Sequence, residues 1–255
     1  MENDGPNDKL YIHELIDIRG HNRAKYMHHM TANWVPIAIQ ERNQRCYGVW
    51  GTVGSTGRWP EVVNIWELDG WDGLVANFQH EFVGRGRMQD PSLAEWWAQA
   101  AEFRSGGYDR ILTAAPWTRP IAGLLADGVR GELYAHELVA VPPGTADDYL
   151  DALRTDGRAA VEALGLTLAG AFRVEMVNDT ECIVIWAVPD WATWGTFERA
   201  HHAGDGDDGP LTGWAANQAT LGADWRRTLM VEAPLSPMRL GRQPEPSDRR
   251  PLDEV

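Results

Sequence analysis

The chain repeats itself, and that repetition limits the folds open to it more than any other feature. Leu10-Tyr-Ile-His-Glu-Leu15 returns as Leu133-Tyr-Ala-His-Glu-Leu138, and Asn64-Ile-Trp-Glu-Leu-Asp-Gly-Trp71 returns as Val184-Ile-Trp-Ala-Val-Pro-Asp-Trp191. Trp97-Ala-Gln-Ala-Ala101 is echoed by Trp214-Ala-Ala-Asn-Gln218, and Leu112-Thr-Ala-Ala-Pro116 by Met230-Val-Glu-Ala-Pro234. The matches keep their order. One unit of roughly 100 residues, copied once, accounts for them.

Each copy spells the same elements. Residues 10–18 alternate and carry β-branched side chains, which predicts a strand. Tyr26, Met30, Trp34 and Ile37 then recur at helical spacing over 21–40, with Pro36 predicting a kink or an early end. Strands at 46–53 and 62–68 form a hairpin around Gly54-Ser-Thr-Gly57. A helix carrying Leu74, Val75, Phe78 and Phe82 follows, then a second from Ser92 as N-cap, and a strand at 110–114. The second copy reads as strands 133–141, 168–177, 181–188 and 228–231, with its first helix at about 146–164.

A β-α-β-β-α-β order puts helices on one face of a four-stranded antiparallel sheet and leaves the other face bare. The predicted class is therefore α+β: two tandem ferredoxin-like βαββαβ repeats packed sheet to sheet as a pseudo-dimeric α/β barrel around a cavity. The divisions are a disordered N-terminus (1–9), repeat 1 (10–117), a linker (118–131), repeat 2 (132–235) and a mobile tail (236–255) rich in Pro, Arg, Asp and Glu.

Composition removes several classes of function. With 23 basic and 37 acidic side chains the formal charge is −14, which disfavours nucleic acid and anionic membranes as partners. No apolar run approaches the ~20 residues that span a bilayer, and the N-terminal residues lack the pattern of a signal peptide, so the expected location is cytoplasmic. Two cysteines, Cys46 and Cys182, exclude a disulfide framework and a multi-cysteine zinc site. The acidic loop Asp205-Gly-Asp-Asp-Gly209 fails as an EF-hand, because position twelve is Ala216. Thirteen Trp against five Phe suits a bulky core or a pocket for an apolar or aromatic molecule.

The first copy resembles the NIPSNAP family of the dimeric α/β-barrel superfamily. The resemblance rests on Tyr11-Ile-His-Glu-Leu15, Pro36-Ile37, Tyr47-Gly-Val-Trp-Gly-Thr-Val-Gly54 and Val62-Val-Asn-Ile-Trp-Glu-Leu68, with Ala233-Pro-Leu-Ser-Pro-Met238 closing the second copy. It covers about residues 9–240. Where the family often has a His two residues before the third-strand Trp, this chain has Asn64 and Val184. The resemblance implies the barrel fold. Its wider superfamily includes cofactor-free monooxygenases, isomerases, lyases, haem enzymes and members without established chemistry, so fold alone does not choose among them.

The duplicated Tyr-x-His-Glu is the strongest local signal. Period-two alternation puts Tyr11 and His13, with Tyr134 and His136, on the face toward the inter-sheet cavity, where they can move protons or stabilise an oxyanion. The same alternation puts Glu14 and Glu137 on the helix side, where a carboxylate needs an Arg or a backbone donor; a bulge would bring them into the cavity as general bases instead. The catalytic candidates are therefore His13, Tyr11, Glu14, His136 and Tyr134. Asn64, Trp66, Trp50, His80 and Trp186 are the substrate-binding candidates. His28 and His29 read as solvent-facing, and His80-Glu81 and His201-His202 occupy matching helix ends. No metal site and no nucleotide motif is present. The leading expectation is an enzyme without nucleotide cofactor, performing His/Tyr acid–base chemistry of isomerase or lyase type on an apolar or aromatic substrate. The alternatives are a haem-dependent or cofactor-free oxygenase, and a non-catalytic carrier or assembly subunit. A homodimer is compatible with this reading.

Overall fold

The computed structural model describes residues 5–82, 91–203 and 209–255. The first half contains β1 (Leu10–Ile18), α1 (Arg23–His28), a π-helical turn (His29–Trp34), α2 (Val35–Arg42), β2 (Arg45–Thr52), β3 (Glu61–Leu68), α3 (Gly70–Phe82), α4 (Pro91–Ala100) and β4 (Arg104–Ala114). The connection holds α5 (Ile121–Ala126). The second half contains β5 (Leu133–Ala140), α6 (Ala146–Ala152), a π-helical turn (Leu153–Gly157), α7 (Arg158–Glu162), β6 (Thr167–Glu175), β7 (Glu181–Val188), α8 (Trp191–Ala203), α9 (Thr212–Thr220) and β8 (Asp224–Glu232), followed by α10 (Pro237–Leu240).

Among the described residues, strands β1 to β8 join one closed antiparallel barrel in the order β1-β3-β2-β8-β5-β7-β6-β4. The halves meet edge to edge. Trp50–Thr52 pair with Met230–Glu232 at one seam, and Ile111–Ala114 pair with Phe172–Glu175 at the other. Closure satisfies the backbone groups that two separate sheets would leave exposed at their edges.

The two halves share their irregularities as well as their order. The register of β2 slips between Cys46 and Gly48, and that of β6 between Leu168 and Gly170. In each case the ring two residues on lies over the glycine: a Cβ on Gly48 would fall 1.9 Å from the Trp50 ring, and one on Gly170 2.5 Å from Phe172. The first helix of each half is interrupted by a π-turn at the same place.

Alternation along the strands sets two environments. Tyr11, Tyr47, Trp50, Ile65, Leu112, Tyr134, Phe172, Ile185 and Met230 point inward and pack together. Outward residues pack under the helices, with Ile16, Val62 and Trp66 in one half and Val139, Val184 and Trp186 in the other. Burying these faces is the main driving force for the fold.

Several expectations change. The barrel axis is filled by side chains instead of enclosing a hollow: the Tyr11 ring lies 5.3 Å from Tyr47 and 4.9 Å from Phe172, and all three are buried. The helix of 21–40 runs on to Arg42, with Pro36 placed directly after the π-turn, at the start of α2. Strand β4 begins at Arg104, earlier than the Gly-rich sequence suggests. On α3, Leu74 is buried, but Val75, Phe78 and Phe82 are exposed. The tail follows the first half: Gln243 bonds the backbone of Cys46 through both amide atoms, and Leu252 packs beside α1 and α2. Near the N-terminus Asn7 is buried and holds Pro116 and Tyr11. The Ser92 side chain and most of the acidic loop at 205–209 lie outside the described residues.

Candidate functional site

The predicted site residues separate into two groups on opposite faces of the barrel wall. Tyr11, His13, Tyr134, His136 and Trp50 face inward. Glu14, Asn64 and Trp66 face outward in the first half, Trp186 faces outward in the second, and His80 stands half-buried on α3.

The inward group is closed upon itself. His13 and His136 stack with Nε2 atoms 3.0 Å apart, so one ring donates to the other. Burial, each other's charge and Arg110 hold His13 well below the usual imidazole range, and burial together with Arg110 brings His136 to about 3. Both rings are neutral at physiological pH. Tyr11 donates to Glu67 Oε2 at 3.0 Å, and Tyr134 to Glu232 Oε2 at 3.0 Å. Burial raises the Glu67 carboxyl and pushes Glu232 up to about 7. These groups hold the barrel in register. The histidines do not fit a haem, because both are buried and each Nε2 is taken up by the other ring.

The outward group is different. Glu14 is the middle of a row running across three strands, with Asp109 opposite it on β4 and Asn64 opposite it on β3. Its Oε2 accepts from Asn64 Nδ2 at 2.8 Å and from Trp66 Nε1 at 2.9 Å. The Asn64 amide also donates to the Tyr26 hydroxyl at 3.0 Å, and its buried Oδ1 has no partner among the described residues. Burial, opposed by these two bonds and reinforced by the Asp109 charge, raises Glu14 to about 7. Asp109 is raised for the same leading reason, and Arg104, stacked on Trp97 at 3.6 Å, supplies the compensating positive charge to both. Glu81, the neighbour of His80, adds a third carboxylate whose charge reaches Asp109.

The row offers a base that titrates near neutrality, an indole and an amide donor that hold it, and a phenol. One end opens to solvent where Ser105 to Asp109 are exposed. Such a set can take a proton from carbon or oxygen. The same row in the second half is Arg227, Glu137 and Val184. There Arg227 holds Glu137 Oε1 at 2.8 Å and Glu198 at 3.1 Å, and Trp186 donates to Glu137 Oε2 at 3.3 Å. Every charge in that row is neutralised.

His28 and His29 are buried, contrary to the helical-wheel reading. The π-turn starting at His29 changes the angular step, and the tail covers His28, whose Nε2 lies 3.0 Å from Arg250 O. His29 stacks on Trp96 at 5.0 Å. Sequence reasoning missed Asp109, Tyr26 and Arg104 as members of the row. The separation that aligns Pro116 with Pro234 also aligns Asp109 with Arg227, a charge reversal visible without coordinates. Among the described residues no group of three or more His, Cys, Asp or Glu could hold a metal ion, and no helix is long and apolar enough to cross a membrane.

No family model matches the sequence, and no curated protein matches it. Solved structures do match the fold. A candidate monooxygenase from Lactobacillus acidophilus aligns with a TM-score of 0.54 at 7% identity, over 88% of this chain and 94% of that one. A candidate monooxygenase from Fusobacterium nucleatum aligns at 0.53 and 8%, over 88% and 92%. An anthrone oxidase-like protein aligns at 0.56 and 12%, over 89% and 94%. At these identities the likeness concerns architecture: the chain has the fold of the dimeric α/β barrels.

Proposed function

We propose that this chain is a small-molecule enzyme of the oxygenase type in which Glu14 removes a proton from an apolar, aromatic substrate. One observation carries the reading: of two equivalent rows, the second is neutralised by Arg227, whereas the first keeps Glu14 beside Asp109 with its carboxyl raised to about 7. A carboxylate near that value both takes and returns protons at physiological pH. Glu14 takes a proton from an activated CH2, leaving the electron pair on carbon. Dioxygen accepts electrons from that carbanion and forms the C–O bond; the hydroperoxide then loses water to leave a carbonyl. The balance is CH2 plus O2 giving C=O plus H2O, with no external reductant.

The likeness to two candidate monooxygenases and an anthrone oxidase-like protein supports this direction over the isomerase or lyase outcome, which shares the proton abstraction but consumes no oxygen. We also read the two halves as a tandem duplication of one ferredoxin-like unit, on their shared bulges and π-turns, and retain the NIPSNAP resemblance as the familial reading. The test is oxygen uptake with an anthrone, a tricyclic phenolic ketone bearing an activated CH2. The expected result is one O2 consumed per quinone formed, with Glu14→Gln slowing turnover about 10²- to 10⁴-fold. Turnover without oxygen uptake would redirect the chemistry to isomerisation. Unchanged turnover in Glu14→Gln would remove the row from it.

A further inference from the structure

A cleft lies on the outside of the barrel at each seam. The first, about 220 Å³, is lined by Arg23, Met27, His28, Val231 and Leu235 among others. The second, about 400 Å³, is lined by Thr113, Trp117, Leu150, Asp151 and Arg173 among others. They are counterparts under the internal repeat: Met27 answers Leu150, His28 answers Asp151, Val231 answers Thr113 and Leu235 answers Trp117. Each is built from the first helix of one half and the end of the last strand of the other, so neither exists in a half alone.

The two have diverged in what they can hold. In the second, the strand position facing the helix is Arg173, tied to Asp147 and Glu175 at 2.7 Å each. Its charges satisfy one another. In the first, the same position is Gly51, where an added Cβ would come within 3.0 Å of Arg23 Cδ and 3.2 Å of Met27 Sδ. A glycine there leaves room for Arg23 and Met27 to lie against the strand. The walls are mainly apolar, with the Arg23 guanidinium and the His28 ring among the polar groups that line the cleft. Arg23 uses Nη1 to hold Thr52 O at 2.7 Å, and no hydrogen bond is made by its Nη2 to the described residues. Of the lining residues, Glu232 directs Oε2 inward to Tyr134 at 3.0 Å, and Val255 closes part of the cleft's rim.

We propose that the cleft at the β2–β8 seam binds a small aromatic monocarboxylate, with its ring against Met27, Val231 and Leu235 and its carboxylate on the Arg23 guanidinium. An apolar engineered cavity of roughly 150 Å³ already admits benzene, so a single ring bearing a carboxylate suits the size. Arg23 is half-buried, and a guanidinium edge recognises a carboxylate through paired N–H donors. This site uses none of the residues assigned to proton transfer and does not depend on that assignment.

The full chain is titrated by calorimetry with benzoate, benzamide and acetate, which separate ring from charge. Benzoate is expected to saturate one site with a Kd at least tenfold below that of benzamide, and acetate to show no saturation. Arg23→Gln should bring benzoate to the benzamide value. Gly51→Leu should abolish both, as should Leu235→Trp, which installs the residue found in the second cleft and serves if the glycine variant does not fold. Glu14→Gln should leave benzoate binding unchanged. Equal affinity for benzoate and benzamide, or no response to Arg23→Gln, overturns the proposal. Retention of binding in folded Leu235→Trp does the same. Loss of binding in Glu14→Gln would place the ligand in the proton-transfer row, overturning this site while leaving the proposed function intact.

Discussion

Glu14 and Glu137 occupy matching positions on the first strand of each half, and each accepts a bond from a tryptophan of its half's third strand, Trp66 and Trp186. Their neighbours differ at two places: Asp109 and Asn64 on one side of the molecule, Arg227 and Val184 on the other. In the second half the glutamate belongs to a closed salt-bridge network with Arg227 and Glu198. In the first, the positive partner has been exchanged for a second carboxylate. A buried carboxylate paired to Arg contributes to structure, whereas one set beside another acid stores a proton. The strand pairing around the two glutamates is the same, and the difference lies in the side chains it brings beside them.

This contrast can be broken at either end. The largest stability effect is expected from Glu137→Gln, which leaves a buried guanidinium with Glu198 alone and should cost about 3 kcal/mol in urea unfolding. An equal loss in Glu14→Gln would mean that the two glutamates do the same work. The next is Asp109→Arg, which copies the second row into the first. Pairing should draw Glu14 down, so the lower midpoint of the pH–rate profile moves at least one unit below about 7; a stationary midpoint would show that the row does not set the base. The smallest is the effect of Glu14→Gln on stability. The folded carboxyl holds its proton more tightly than the unfolded one, whose ordinary value is 4.5. Its stabilising contribution is therefore complete below that value and lost as pH rises through about 7. Glutamine does not ionise, so the variant should match the parent at pH 4 and exceed it by about 1 kcal/mol at pH 8. A gap of opposite sign, read from Tm across that range, would show Glu14 to be paired.

Most of the barrel was legible because alternation fixes faces: Tyr11 and His13 inward and Glu14 outward follow from period two, and both were found so. What lay along the axis was not legible. Whether two bare sheet faces leave a hollow depends on the sizes of facing side chains from both halves, and here Tyr47, Trp50 and Phe172 fill it. Asp109 was hidden because Ser105-Gly-Gly107 reads as a loop, while pairing with β1 draws it into a strand. The tail's polar composition does not announce the hydrogen bonds that Gln243 and Arg249 make to the first half. The burial of His28 and His29 depends on a π-turn that no side-chain pattern announces.

The connection between halves has an effect on how such a molecule can change. Helix α5 sets Ile121 and Leu124 against the inward residues, and Ile121 N bonds Glu67 Oε2 at 2.7 Å, so the tether is part of the wall it joins. Barrel halves on separate polypeptides meet only by mass action and must carry identical mutations on both sides. Here encounter is intramolecular, at an effective concentration on the order of millimolar or higher. A substitution therefore alters one side while the other preserves the scaffold, which frees one copy to be specialised and obliges its twin to stay rigid.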